Sequence, residues 1–583
     1  MLRPHHRIKQ ILHRPHTFRT VVYRLLSFQS LSSKTMSTNP GEVSTPNDLQ
    51  NGQMKAVDVG DKQKVLLSKV QGTIYATSAK CTHYGAPLEK GVLTSDGRLT
   101  CPWHGACFNI KTGDIEDAPA MDCLKTFNVR VVGDQILINV SAEELKKNRS
   151  PPNRGLPVRR PDTAVIIGNG SGGQAAAEAL REHGFDGRII VYGKEPYLPI
   201  DRTKLSKSLD VSIDKAALRP DEFYKERGIE LNTSKEVKSV NIDGRKVELT
   251  DGTVQEYKYL VLASGSQPRT LDIEGNHLKN VHYLRSLIDA TALHSAIKSF
   301  EKPNVVIIGT GFIGMEVASV LAKDDKANVT IVARSEVPLK SVLGEEVGKF
   351  VRRWHEDHGV KFKANVNPKK FTPSDVDPTK VASVLLSTGE VLPADVVLVA
   401  IGATPVTTYL PSVLLNDDSS VTVTPNLSVP NHPELYAVGD IARFPTPMNP
   451  KTTRIEHWNV ARNTGRLVAR NIALSSRSEP LQTFNKAPYF WTAQYGKSLR
   501  YVSTAPFETV FVQGDLQSQK GEDTAFVAWY ANGDNIVGCA SLNKDPIVSH
   551  VSELLRLGRC PTLSEIKAGK DVLKVELGPA NRL

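Results

Sequence analysis

The chain has 583 residues, too many for one hydrophobic core, so roughly three or four domains are expected. Hydrophobic residues make up 40% and charged residues 23%, an ordinary globular balance, and no apolar run approaches the roughly 18 residues of a membrane-spanning helix. The formal charge of +11 would suggest a nucleic-acid binder, but seven Lys/Arg and no acid fall within residues 1–41; the other 542 residues carry +4, with no basic helix interleaved with aromatics.

Residues 1–46 read as a presequence or a disordered tail. The first 41 are rich in Arg, His and Ser with scattered apolar residues, the composition of a mitochondrial presequence, whereas a start at Met36 would leave a cytoplasmic protein. From 47 to 145 the pattern is short alternating strands with turn residues between them ("KVLLSKVQGTIYAT", "FNVRVVGDQILINV"), a small all-β domain. Four of the six cysteines fall within it, too few and too clustered for a disulfide framework. Cys81-x-His83 and, 17 residues later, Cys101-x-x-His104 form a candidate metal site. Two Cys and two His suit either one zinc or a [2Fe–2S] cluster with both imidazoles on one iron. Zinc pairings usually draw two like ligands from one loop. Here each loop supplies one Cys and one His, as a two-iron cluster requires. "CTHYGAPL … CPWHGACF" resembles the Rieske domain, and the resemblance implies Cys81, His83, Cys101 and His104 as its ligands. The first loop has Ala86 where respiratory Rieske proteins have a bracing cysteine, so Cys107 is expected to be a free, buried thiol and Cys123 a core cysteine.

Residues 146–162, "KKNRSPPNRGLPVRRPD", read as a linker on which the small domain could shuttle. Beyond it, "AVIIGNGSGGQAAAEALREHG" is a buried strand, a glycine turn and a helix, and "NVVIIGTGFIGMEVASVLAKD" repeats the pattern. Gly168-x-Gly170-x-x-Gly173 and Gly309-x-Gly311-x-x-Gly314 therefore mark two dinucleotide-binding folds. In each, the first glycine makes the turn, the second admits a pyrophosphate and the third lets helix and strand pack closely. The divisions expected are 163–290 and 403–482 for one nucleotide domain, 291–402 for the other, and 483–583 for an α+β closing domain. Gly402 ends the strand "DVVLVAIGATP"; Gly439 and Asp440 follow "ELYAV", where a carboxylate can accept from a sugar hydroxyl. With no cysteine between 124 and 538, a redox cysteine pair is excluded from the first nucleotide domain.

In this order the segments resemble the two-dinucleotide flavoprotein reductases, with FAD on the first domain and NADH or NADPH on the second. The resemblance implies Glu195 and Val237 as further FAD contacts. "YLPIDRTKLSKSL" is similar to a segment of ferredoxin reductases and apoptosis-inducing factor, which implies Arg202 and Lys207 at the flavin and a catalytic Lys207–Glu316 pair. "EHW" and "FWTAQYGKSLRY" imply Glu456, His457 and Trp491 beside the ring system. At the end of the second nucleotide strand, Ala333 and Arg334 stand where NAD-specific domains carry an acid, so Arg334 leaves NADPH open. The whole resembles the Rieske-bearing, apoptosis-inducing-factor-like mitochondrial proteins. It implies electron flow from NAD(P)H through FAD to the cluster and on to an unidentified acceptor, in a monomer or homodimer without nucleic acid. The rival reading is a redox-sensing scaffold.

Overall fold

Gln71 (φ 51°) and Gly72 (φ 79°) form a left-handed two-residue turn that folds the strands Lys64–Val70 and Thr73–Ser78 into a hairpin. This hairpin lies in a six-stranded antiparallel sheet ordered 42–44, 135–139, 126–132, 73–78, 64–70, 54–58. The computed structural model describes residues 42–44, 49–59, 63–133, 135–139, 144, 149–150, 161–323, 325–503, 505–517 and 523–578. Residues 1–41 of the presequence assignment and most of the linker lie outside them. The strand Glu42–Ser44 pairs with 135–139, Glu42 opposite Leu137 and Ser44 opposite Ile136, so the sheet begins ahead of residue 47, and no local pattern shows a partner that far downstream. In a second, four-stranded sheet (92–93, 98–100, 107–109, 115–117) the metal-site loop 101–106 joins the two central strands, while the loop 81–86 is closed by the isolated Lys80–Pro87 bridge.

The first nucleotide domain is a doubly wound sheet ordered 229–232, 188–192, 163–167, 259–262, 432–437, 428–429. All pairs are parallel except the last. Helix α1 (Ser171–Glu182) follows the first strand and packs against helix α4 (Trp458–Ser475). Glycines set that approach: a methyl on Gly465 would lie 2.2 Å from the Gly172 carbonyl oxygen. The second domain is a parallel sheet ordered 281–282, 396–399, 304–308, 328–332, 361–363, with helix α3 (Phe312–Lys323) after its central strand. Strand Val281–His282 and helix α2 (Leu287–Lys298) belong to this sheet, which moves its start ahead of residue 291. A strand of two residues carries too little periodicity to be assigned from sequence. The closing domain is a five-stranded antiparallel sheet (489–494, 497–502, 535–542, 526–532, 509–514) flanked by helix α5 (Ile547–Leu557). No helix among the described residues is long and apolar enough to cross a membrane.

The β domain is docked on the other three. Arg219 donates to Asp122 (2.7 Å) and to the Met121 carbonyl (2.7 Å), and also pairs with Glu178 (2.6 Å). Asn459 and Asn463 on α4 bond Ala118, and Glu553 on α5 accepts from Thr100 and Arg98. The seam is hydrogen-bonded and largely buried, so the structure shows a seated domain where the sequence suggested a shuttling one.

Candidate redox site

Two loops with the same backbone closure present the four metal-site residues. The Cys81 amide donates to Ala86 O (2.8 Å) and the Cys101 amide to Ala106 O (2.7 Å). Left-handed Gly85 (φ 78°) and Gly105 (φ 70°) make the bends. A methyl on Gly105 would strike the Tyr489 ring at 2.7 Å, so this loop is also packed against the closing domain.

All four sequence-assigned donors meet, and they meet as two pairs. His83 Nδ1 and His104 Nδ1 lie 3.2 Å apart, and the Cys81 and Cys101 thiols hydrogen-bond to each other. No three of the four come within 4.8 Å of one another; the one such trio among the described residues is Cys107, Asp117 and Glu553. A single tetrahedral zinc would bring every pair of donors to within about 4 Å. The arrangement therefore rejects zinc and fits a group with two metal centres, one facing nitrogens and one facing sulfurs. Burial pushes the His83 imidazole down to about 4 and that of His104 to about 2, so both are neutral, as ligation requires. Burial alone would raise the Cys101 thiol, but the Cys81 side chain and the amides of Trp103 and His104 outweigh it and lower it. The Cys107 trio is an ion-pair network, since Arg98 and Lys486 both contact Asp117. Cys107 itself is fully buried and its thiol is raised to about 11 by burial, an inert core cysteine as expected; Cys123 is half-buried and packs against the edge of the β-domain core.

The second element is one continuous cavity of about 1570 Å³ between the nucleotide domains and the closing domain. Its size exceeds the roughly 300–1,000 Å³ of single-ligand pockets and suits two dinucleotides. Gly168, Gly170, Glu195, Arg202, Lys207, Val237, Gly311, Glu316, Gly402, Gly439, Asp440, Glu456, His457 and Trp491 all line it. A methyl on Gly170 or Gly402 would meet no atom within 4 Å, which leaves the backbone open to a ligand there. Gly173, Gly309 and Gly314 do not line it, and their absent side chains serve packing: a methyl on Gly173 would lie 1.9 Å from Gly168 O. Arg334 is exposed at the end of its strand and lines no part of the cavity.

Glu316, 4% exposed, accepts from Lys207 Nζ (2.8 Å) and Thr492 Oγ1 (2.7 Å) and contacts Ser206 Oγ. Residues 109 apart in sequence thus form a part-buried ion pair at the cavity wall. Arg202 holds Glu195 (2.5 Å) and the Arg285 carbonyl, while Arg285 and Ser266 donate to Asp440 at 2.8 and 2.7 Å. The His457 Nδ1 is buried with no protein partner, and burial drops its pKa to about 4, leaving a neutral ring facing the cavity. A buried, unpaired polar atom on this wall is the mark of a bound polar group.

Trp491 joins the two elements. It lines the cavity, and its ring centroid lies 4.5 Å from that of His104 and 5.9 Å from that of His83. Several residues that matter here had no local signal in the sequence. Arg219, Asn459, Asn463 and Glu553 act only through contacts between distant segments; Tyr84, inside the "CTHYG" loop, stacks on His83 at 3.8 Å and bonds Asp201 (2.7 Å).

Residues 39–128 match the Rieske [2Fe-2S] domain family, and residues 162–465 match the pyridine nucleotide-disulphide oxidoreductase family. The chain is 40% identical over 532 residues to apoptosis-inducing factor 3 of Homo sapiens, covering 89% of this chain and 84% of that protein. It is 33% identical over 384 residues to rhodocoxin reductase of Rhodococcus erythropolis, covering 65% and 86%. The covalent putidaredoxin reductase–putidaredoxin complex superimposes with a TM-score of 0.65 at 27% identity, covering 72% of this chain and 98% of that one. The chain belongs to the pyridine nucleotide-disulphide oxidoreductase family, as a ferredoxin-reductase-like NAD(P)H oxidoreductase using FAD and carrying a Rieske [2Fe–2S] domain on the same polypeptide.

Proposed function

We propose that the chain moves electrons from NAD(P)H to its own Rieske domain and from there to a separate acceptor, acting in the mitochondrion. When bound, FAD takes a hydride from NAD(P)H and the cluster carries electrons singly. The observation that carries the reading is the contact of Trp491 with both imidazoles from the wall of the dinucleotide cavity. A reductase that worked only on external carriers would leave that wall open to them; here the chain's own domain occupies it.

Cys81, His83, Cys101 and His104 would hold the cluster. Gly168, Gly170, Glu195, Arg202, Gly439 and Asp440 would hold FAD, and Gly311 and Gly402 would face the nicotinamide nucleotide. Lys207, fixed by Glu316, places one positive charge at the cavity wall beside the ring system, where it favours added negative charge. The basic, acid-free segment 1–41 supports a mitochondrial location. The direct contact favours transfer over the scaffold reading, which needs no such wire.

Anaerobic addition of NADH or NADPH to the holoprotein tests this, with flavin absorbance and the electron paramagnetic resonance of the cluster followed together. Both are expected to be reduced, with a cluster rate independent of protein concentration. Flavin reduction with a cluster that stays oxidised would overturn the reading.

A further inference from the structure

A second cavity, about 510 Å³, opens on the other side of Trp491. It lies where the β domain meets the segment 203–215, and its walls include Tyr84, Trp491, Val211, Lys204, Lys207 and Lys215. Its two aromatic walls are the rings that touch the cluster imidazoles: Tyr84 stacks on His83 with the planes 15° apart, and Trp491 packs against His83 and His104. Tyr84 is 47% exposed, so solvent reaches this stack. Three lysines and no acid line the cavity; Lys207 is paired with Glu316 and Lys204 donates to the Lys215 carbonyl, Lys215 is exposed, and Asp201 beside the pocket is 6% exposed and engaged by the Tyr84 hydroxyl.

We propose that this pocket is the exit site, and that it takes a small, planar, anionic organic molecule as a one-electron acceptor, of the quinone sulfonate or carboxylate class. The inference rests on the electron-transfer reading above and names its acceptor. Three features carry it. The volume falls in the range of small-molecule sites. Aromatic walls suit a flat ring. A lysine rim without acids selects negative charge. The step balances: one NAD(P)H loses a hydride to become NAD(P)⁺, its two electrons pass singly to two acceptor molecules, and one proton goes to water. Each acceptor gains one electron and one unit of negative charge.

The test uses holoprotein and 1,2-naphthoquinone-4-sulfonate as the probe, with Lys215→Glu at the exposed rim and Val211→Trp to fill the pocket. Neither residue belongs to the redox machinery. Calorimetry on the oxidised protein measures the probe's Kd without turnover, and steady-state assays measure its KM. Both constants are expected to rise about tenfold in each variant, equivalent to about 1.4 kcal/mol. The Lys215→Glu effect should shrink at high salt, as a screened surface charge requires. NAD(P)H-driven reduction of flavin and cluster should be unchanged. Since Val211→Trp could impair folding, Lys215→Glu decides on its own through the contrast between the probe and an uncharged naphthoquinone, whose Kd it should leave alone. Unchanged probe constants in Lys215→Glu alongside normal cluster reduction overturn the proposal. So does a probe that fails to bind while an acidic ferredoxin is reduced in a Lys215-dependent way, which would assign the surface to a protein. A cluster that NAD(P)H cannot reduce would sink the underlying reading instead, and the calorimetry would still judge the pocket.

Discussion

Arg219→Met should loosen the seat of the Rieske domain. The Arg219 side chain is 10% exposed and is held between Asp122 (7%) and Glu178 (2%), with a third bond to Met121 O. Removing one partner of a buried pair costs about 3–5 kcal/mol, because the carboxylates stay buried without it. Two substitutes remain: Arg149 lies 3.1 Å from Asp122 and Arg462 lies 3.8 Å from Glu178. The lower end, about 3 kcal/mol, is therefore expected, which is about a hundredfold in the opening equilibrium of the seam. Hydrogen exchange at the Ala118 amide reads this directly, since that amide donates to Asn463 Oδ1 (2.8 Å) across the seam. Its exchange should quicken about a hundredfold. A control is Arg188→Met, whose pair with Glu230 is 46% exposed on both sides and whose loss should cost less than about 1 kcal/mol. Ala118 exchange unchanged in Arg219→Met would show that the other seam contacts seat the domain without Arg219 and that the ion-pair argument is wrong.

Three further outcomes are expected. Trp491→Phe should leave flavin reduction by NAD(P)H intact and slow cluster reduction in stopped-flow traces; equal rates in both phases would remove Trp491 from the path. Glu316→Gln keeps the shape but loses the charge that holds Lys207, and hydrogen bonds to charged groups are worth about 1.5–3 kcal/mol. Flavin reduction should slow by roughly ten- to a hundredfold, and a wild-type rate would remove the pair from catalysis. Finally, burial pushes fully buried His355 down to about 4 against the pull of the Met315 and Val351 carbonyls, below its unfolded value near 6.5. Its folded form resists protonation, so this contribution is complete above about pH 6.5 and is lost as pH falls toward 4, up to about 3 kcal/mol. Urea melts of His355→Leu should show lower stability at pH 7 but a flatter slope between pH 7 and 4. An undiminished slope would place the acid sensitivity elsewhere.

The docking also bears on the chain's architecture. The Rieske domain and the reductase are one polypeptide. Helix α4 links them physically, because it packs on α1 of the first nucleotide domain and bonds the β domain through Asn459 and Asn463.

The sequence by itself determined the chemistry that depends on local spacing. Cys81-x-His83 and Cys101-x-x-His104 each sit in one short loop, and each Gly-x-Gly-x-x-Gly follows a strand and opens a helix. Such patterns are legible because turn geometry and ligand reach span only a few residues. The two-centre character of the metal site was suggested by spacing, and then decided by distances: nitrogens 3.2 Å apart, and no three donors within 4.8 Å. Domain edges are hard to read where strands of two or three residues, Glu42–Ser44 and Val281–His282, owe their existence to distant partners. Only the tertiary structure could decide that the Rieske domain is seated, that Trp491 faces both redox sites, and that a lysine-rimmed pocket opens beside Tyr84. Each of these joins segments distant in the chain, from 97 residues for Arg219–Asp122 to 455 for Arg98–Glu553, and no local pattern encodes a contact across that distance; packing and charge complementarity of the folded surfaces do.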